Sequence, residues 1–357
     1  MSASEILAKG VERGIITAEQ AERLRALENA GVPPELPVSP DDEQLRLISG
    51  FSDIFVTIGL ALFLGATGYL ALLAEGAVSL WAAVAIAAWL LAEFFTRLRR
   101  MALPSIVLLM VFAWAVFAVT ATALTAGTRP TPLSPAGVLG LSMFMPGVVV
   151  ISGFVTVLLT ALHYWRFRVP ITIAAGCGAL VVAIVALAYG MASDSARGVQ
   201  DAVILTCGLA VFGLAMRFDM ADPARLTRRT DIAFWLHLLA APLIVHSLID
   251  GLFDKASSKL DPGSAVLIVA LFLALGIVAI LIDRRALLVS GLAYAGVAFW
   301  TLIRQAGVTD ITTPLTVLAL GAFVLLLSAG WKPLRAGMLR LAPSALTSRL
   351  PQPTLSA

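Results

Sequence analysis

Charge is what this 357-residue chain has least of: Asp, Glu, Lys and Arg together make up 13% of it. An ordinary soluble domain carries ~25%, so a water-soluble fold of this length is excluded. Cysteine is nearly absent, with two residues in all. Cys177 and Cys207 both fall inside apolar runs, which rules out a disulfide framework and leaves small buried thiols as the default reading. Histidine occurs three times, at His163, His237 and His246. The sequence has no H-E-x-x-H, no Gly-rich phosphate loop ending in Gly-Lys-Ser/Thr, no C-x-x-C and no G-x-S-x-G. Ser152-Gly153 has no partner base in view. Metal, nucleotide and nucleophile chemistry therefore find little here, and we expect no enzyme activity, no cofactor and no metal.

What is present is apolar: 59% of residues are hydrophobic and the mean hydropathy is +0.94. The apolar residues fall in ten runs, roughly 54–74, 77–95, 104–124, 146–164, 170–190, 200–217, 231–250, 263–282, 286–303 and 312–331. A helix needs ~20 such residues to cross the ~30 Å hydrocarbon core. Lipid offers bare peptide groups no partner, so only helices and closed barrels can cross. The predicted fold is an all-α, polytopic transmembrane bundle of about ten spans.

The pI near 9.1 invites a nucleic-acid reading, but the placement of the basic residues argues against it. Of the 25 Lys and Arg, 20 fall on one side of the predicted spans and 5 on the other. Positive loops stay cytoplasmic, so both termini are expected in the cytoplasm. Lipid head groups are then the natural partners of the basic side. Residues 1–50 are charged and amphipathic, unlike a cleavable signal peptide. Arg outnumbers Lys 21 to 4 and Ala is abundant, which suits a GC-rich bacterial genome. The expected location is a bacterial inner membrane.

Ahead of the spans, residues 1–31 read as a small cytoplasmic helical hairpin. Ile6, Leu7 and Val11 stand at helical spacing, and Thr17 with Gln20 forms a capping box for a second helix striped by Ala21, Leu24 and Leu27. Residues 32–50 are a Pro-rich, acidic linker, 51–331 the membrane domain and 332–357 a cytoplasmic tail. The stretch Gly14-Ile15-Ile16-Thr17-Ala18-Glu19-Gln20-Ala21 resembles the hairpin motif that opens a family of uncharacterised bacterial polytopic membrane proteins. That resemblance implies a multi-span inner-membrane protein and supplies no functional residues. Short hairpins of this kind also serve as oligomerisation modules, so a homo-oligomer or a protein partner is a candidate for this one.

Three segment pairs suggest a 5+5 inverted repeat: Thr57–Phe63 with Thr206–Phe212, Ile86–Leu90 with Ile232–Leu236, and Pro170–Ile173 with Pro314–Val317. Their offsets of 149, 146 and 144 agree closely. Small residues inside the spans, such as Gly59, Gly176 and Gly208, permit close helix contact.

Span seven carries the most unusual chemistry, with His237, Pro242 and His246 between Asp231 and Asp250. Ionisable groups at membrane depth are functional hypotheses by default. Nine steps at ~100° put the two imidazoles on opposite faces, so they cannot share a metal or haem. His246 and Asp250, four apart, share a face. Pro242 cannot donate to the Leu238 carbonyl and favours a bend. The plainer alternative is that each imidazole bonds a neighbouring helix and the proline only shapes packing. Glu93 is expected to pair with Arg97 on its own helix, its other role being a gate carboxylate. His163, Trp81, Trp300 and Trp331 read as the interfacial aromatic belt. Asp283 reads as a solvated junction, and Asp53 and Asp231 as acidic residues at helix starts. Two functions follow as expectations: a secondary transporter or permease of small solutes or ions, or a non-transporting sensor or assembly partner acting through its hairpin.

Overall fold

The computed structural model describes residues 7, 9, 11–14, 16–29, 51–126, 145–191, 197–222, 227–249, 262–307 and 311–341. Asp250, most of the first hairpin helix, the linker 32–50, the loops bearing Arg129 and Lys255, and residues 342–357 lie outside them. The chain divides into two units, Met1–Gln44 with Pro353–Ala357, and Leu45–Gln352.

In the first unit, α1 spans Ala18–Asn29. The Thr17 N–H donates to Gln20 Oε1 at 2.8 Å and the Gln20 N–H to Thr17 Oγ1 at 3.2 Å, which is the reciprocal capping box expected there.

The second unit is all helix among its described residues. Its elements are α2 (Phe51–Glu75), α3 (Ala77–Ala92) continuing into a π-helical turn (Glu93–Leu98), α4 (Ala102–Thr125), α5 (Pro146–Phe167), α6 (Ile171–Met191), α7 (Arg197–Met220), α8 (Arg228–Ile249), α9 (Pro262–Ile282), α10 (Ala286–Gln305) and α11 (Thr312–Leu341). Nine helices among the described residues are long and apolar enough to cross a membrane. Helix α10 forms where the ninth span was expected. One boundary differs: α11 does not stop at Trp331 but runs through Pro333 to Leu341. Its last turns hold buried Arg335, whose partner lies on another element.

Small residues set the packing. Ala88, Ala115, Ala215, Ala240, Ala265, Ala279 and Ala295 are all fully buried, so backbones approach closely where they meet. Gly208 of α7 shows how closely: a Cβ added there would sit 2.9 Å from Ile244 Cγ1 and 3.2 Å from the Ile244 nitrogen of α8. One core joins α2, α3 and α4 around Leu64, Ala88, Leu108 and Phe112. A second joins α6, α7 and α8 around Ala174, Ala215, Leu236 and Ala240. Two smaller cores tie α8 to α9, α10 and α11. Large side chains such as Leu62, Phe63, Leu158 and Leu325 are exposed, which suits a surface bathed by lipid.

Candidate functional site

Helix α8 enters from the arginine-rich end at Arg228 and carries His237 inward on its buried face. His237 is fully buried, and its Nε2 lies 2.9 Å from Asp219 Oδ2. Asp219 stands in the last turn of α7 and is itself buried. An ionised carboxylate can only accept, so Nε2 is the donor in this bond. The same carboxylate is held by Arg284, whose Nε donates to Oδ2 at 3.2 Å and whose Nη2 donates to Oδ1. This two-pronged contact is the geometry an arginine fork makes with a carboxylate. The guanidinium also reaches the Thr230 carbonyl at 3.5 Å.

Arg284 is in place because α9 ends in a left-handed residue, Asp283, with φ 57°. Gly or Asn is the usual occupant of that position. The Arg284 N–H then donates back to the Ala279 carbonyl at 2.8 Å. The sharp turn sends two neighbouring side chains in different directions. Arg284 goes to α7 and α8. Asp283 goes to α11, where it accepts from Trp331 Nε1 at 2.7 Å and pairs with Arg335 at 3.6 Å. Arg285 lies over the Trp331 ring at 5.1 Å, a cation–π contact. Beside this network, Asp222 Oδ2 accepts from the Thr227 N–H, the Thr227 hydroxyl and the Thr230 hydroxyl, which ties the end of α7 to the start of α8.

The result is a clasp. Asp219, Asp283, Arg284 and Arg335, all buried, join α7, α8 and α11 through the α9–α10 turn. Buried Asp222 adds a third carboxylate beside the two arginines, and a proton on His237 would set Asp219 between two cations.

The sequence-predicted residues divide accordingly. His237 belongs to the clasp. His246 is exposed and lies on a different face, its Nδ1 2.8 Å from the Tyr294 hydroxyl of α10. Helix α8 continues through exposed Pro242. Glu93 makes the expected pair with Arg97, at 3.5 Å, and adds a closer partner in Arg166 of α5, whose Nε and Nη2 donate to it at 2.9 and 2.7 Å. The π turn that begins at Glu93 accompanies this reach across to another helix.

Three belt or junction assignments are also corrected. His163 is buried, with ring centroids of Phe167, Phe112 and Trp89 4.5, 5.5 and 5.7 Å away. Neither of its ring nitrogens has a hydrogen-bond partner among the described residues. Trp331 is buried against Asp283, and Asp283 is buried rather than solvated. Asp219, Arg284 and Arg335 were missed because each stands at a span edge beside other charges, where a solvated residue is the default. The one available signal was that Asp283-Arg284-Arg285 follows α9 with no turn-forming Gly or Pro.

Among the described residues no three His, Cys, Asp or Glu side chains gather as a metal site would require. A separate, apolar groove of about 570 Å³ lies between α4, α5, α6 and α8. Comparison with protein-family models, with curated proteins and with solved structures finds no match for this chain.

Proposed function

We propose that this multi-pass membrane protein is a secondary permease of small solutes or ions whose cycle is linked to protons through the Asp219–His237–Arg284 clasp. The observation that carries this reading is a titratable imidazole buried on a carboxylate that an arginine also holds. Burying ions at span ends is costly, and such groups mark ion pathways and proton relays more often than they add stability. A proton taken by His237 strengthens its own bond to Asp219 and sets a second cation beside Arg284. Repulsion between the two cations then weakens the hold of the α9–α10 turn on α7. Removal of the proton restores the clasp. A helix bundle that locks and unlocks at one end in step with a proton is the element alternating access requires. The excess of basic residues at that end supports a cytoplasmic orientation for it and for both termini, in a bacterial inner membrane.

The test is charge movement in liposomes containing the purified protein, recorded on a solid support under an imposed pH gradient. Amino acids, sugars and monovalent ions are presented in turn. The wild type is expected to carry a current with at least one of them, and His237→Gln to lose its proton dependence. A wild type silent to the whole series, together with His237→Phe cells that grow as wild type, would overturn the reading in favour of a non-transporting scaffold.

A further inference from the structure

Helix α11 is held at its ends and not along its length. Its buried residues are Thr312 and Thr316 near one end and Trp331 and Arg335 near the other. None of residues 317–330 is buried, which leaves most of the span to lipid. Its side chains in the apolar cores, Leu327, Trp331, Met338 and Leu339, all stand in its second half. Between the span and its last turns the helix is built to bend. Pro333 has no N–H to donate to the Ala329 carbonyl, and its ring crowds that turn. Gly330 stands three residues before it and Gly337 four after, neither with a Cβ to stiffen the chain. Sharp helix kinks gather at such positions.

From that weak turn onward, residues 331–341 are fastened at Asp283. Its Oδ1 accepts from Trp331 Nε1 at 2.7 Å, and Arg335 Nη1, one turn further on, lies 3.6 Å from Oδ2. Met338 and Leu339 pack on the core that holds Phe212 and Met216 of α7 and Ala241 of α8. Those three residues flank the clasp. The Phe212 ring meets the His237 ring at 5.3 Å, Met216 stands three residues before Asp219, and Ala241 one turn beyond His237. The other face of the segment, with Lys332, Leu334, Gly337 and Arg340, is exposed. The last turns of α11 therefore lie over the clasp, one face inward and one face in water.

We infer that residues 331–341 are a strap that shields the Asp219–His237–Arg284 clasp from water, hinged at Gly330–Pro333 and locked on Asp283. Asp283 and Arg284 are neighbours in one left-handed turn, so strap and clasp are fastened to the same point of the chain. Shut, as it is here, the strap keeps water from His237. Swung out, it opens a route to the imidazole from the arginine-rich end. Its purpose rests on the proton-linked reading of the clasp, but its hinge and lock are measured without any transport.

The test uses the full-length protein without Cys177 and Cys207, in nanodiscs whose two faces both meet water. Spin labels on Arg340→Cys and Arg229→Cys, both at exposed positions, are expected to give one distance while the strap is locked. Arg335→Gln should add a second distance shifted by ~5 Å or more, because a ~20° swing of a ~15 Å strap moves its end that far. Trp331→Phe removes the indole N–H and should do the same, which keeps the test in hand if Arg335→Gln does not fold. Gly330→Ala with Pro333→Ala stiffens the hinge and should suppress the second distance in either variant. The added Cβ at Gly330 meets nothing nearer than Leu334 Cδ1 at 3.5 Å, so it fits. In a separate protein, Met216→Cys should react with a water-soluble maleimide about tenfold faster once Arg335→Gln unlocks the strap. One unshifted distance in both Arg335→Gln and Trp331→Phe, a second distance that survives the stiffened hinge, or equal maleimide rates at Met216→Cys would each overturn it.

Discussion

Arg284 and Asp219 show how a pair of charges can be both expensive and indispensable. Each costs several kcal/mol to bury, and their attraction repays this only while both are present. Arg284→Leu strands a buried carboxylate and should lower unfolding stability by about 3–5 kcal/mol. The double change Asp219→Leu with Arg284→Leu should recover most of that loss. Thermal unfolding of the two proteins in the same detergent decides it, and a double variant no more stable than the single one would show that the pair is not the source. His163 offers the opposite contrast. Its imidazole is buried among three aromatic rings with neither nitrogen bonded among the described residues. A buried polar group without a partner costs about 1–3 kcal/mol, so His163→Phe should leave Tm unchanged or raise it. A clear fall would reveal a bond that the imidazole makes in the membrane.

At the scale of the helix, close approach is decided by glycines that look alike in sequence. Gly208 and Gly213 both belong to α7. A Cβ at Gly208 would press on the side chain and backbone of Ile244, whereas one at Gly213 meets nothing within 4 Å. Gly208→Val should therefore wedge α7 from α8 and cost about 1–3 kcal/mol through overpacking. Gly213→Ala should be neutral or stabilise by about 0.5–1 kcal/mol, because alanine is the better helix former. Denaturation of the two variants side by side checks the contrast, and equal effects would mean that α7 does not lie against α8 as described. The pair Glu93–Arg166 belongs to this scale too. It links α3 to α5 with good geometry but is about a third exposed on each side. Solvent screening limits such a pair to about 0–1 kcal/mol, so it orients the π turn more than it stabilises the bundle.

For the molecule as a whole, the proposed orientation rests on where arginine is tolerated. With 20 of 25 basic residues on one side, single cysteines placed near Arg129 and Lys255 in a variant lacking Cys177 and Cys207 should be labelled by an impermeant reagent from outside. A cysteine at Arg228 should not be. External labelling at Arg228 would reverse the topology and put the clasp at the outer face. Helix α1 belongs to a different unit from Leu45–Gln352. Deleting residues 3–30 should accordingly leave a bundle with unchanged far-ultraviolet helical signal in detergent. Failure to insert would make the hairpin part of the core.

The sequence by itself determined the class of this protein, all-α and multi-pass, because membrane crossing is a one-dimensional requirement. Twenty apolar residues must follow one another, and α2 to α9 stand where the runs predicted them. It also singled out His237, since an ionisable group deep in an apolar run is conspicuous without any neighbour. Tertiary structure alone decided what His237 touches. Asp219, Arg284 and Asp283 sit at helix ends, where a local reading takes charges as solvated, and only the folding back of α7, α9 and α11 removes their water. The same holds for Glu93, whose nearest charge in sequence is Arg97 and whose strongest bond is to Arg166. Periodicity reports which residues share a helix face. Which face meets which partner is settled by packing between helices far apart in the chain, and no local pattern encodes it.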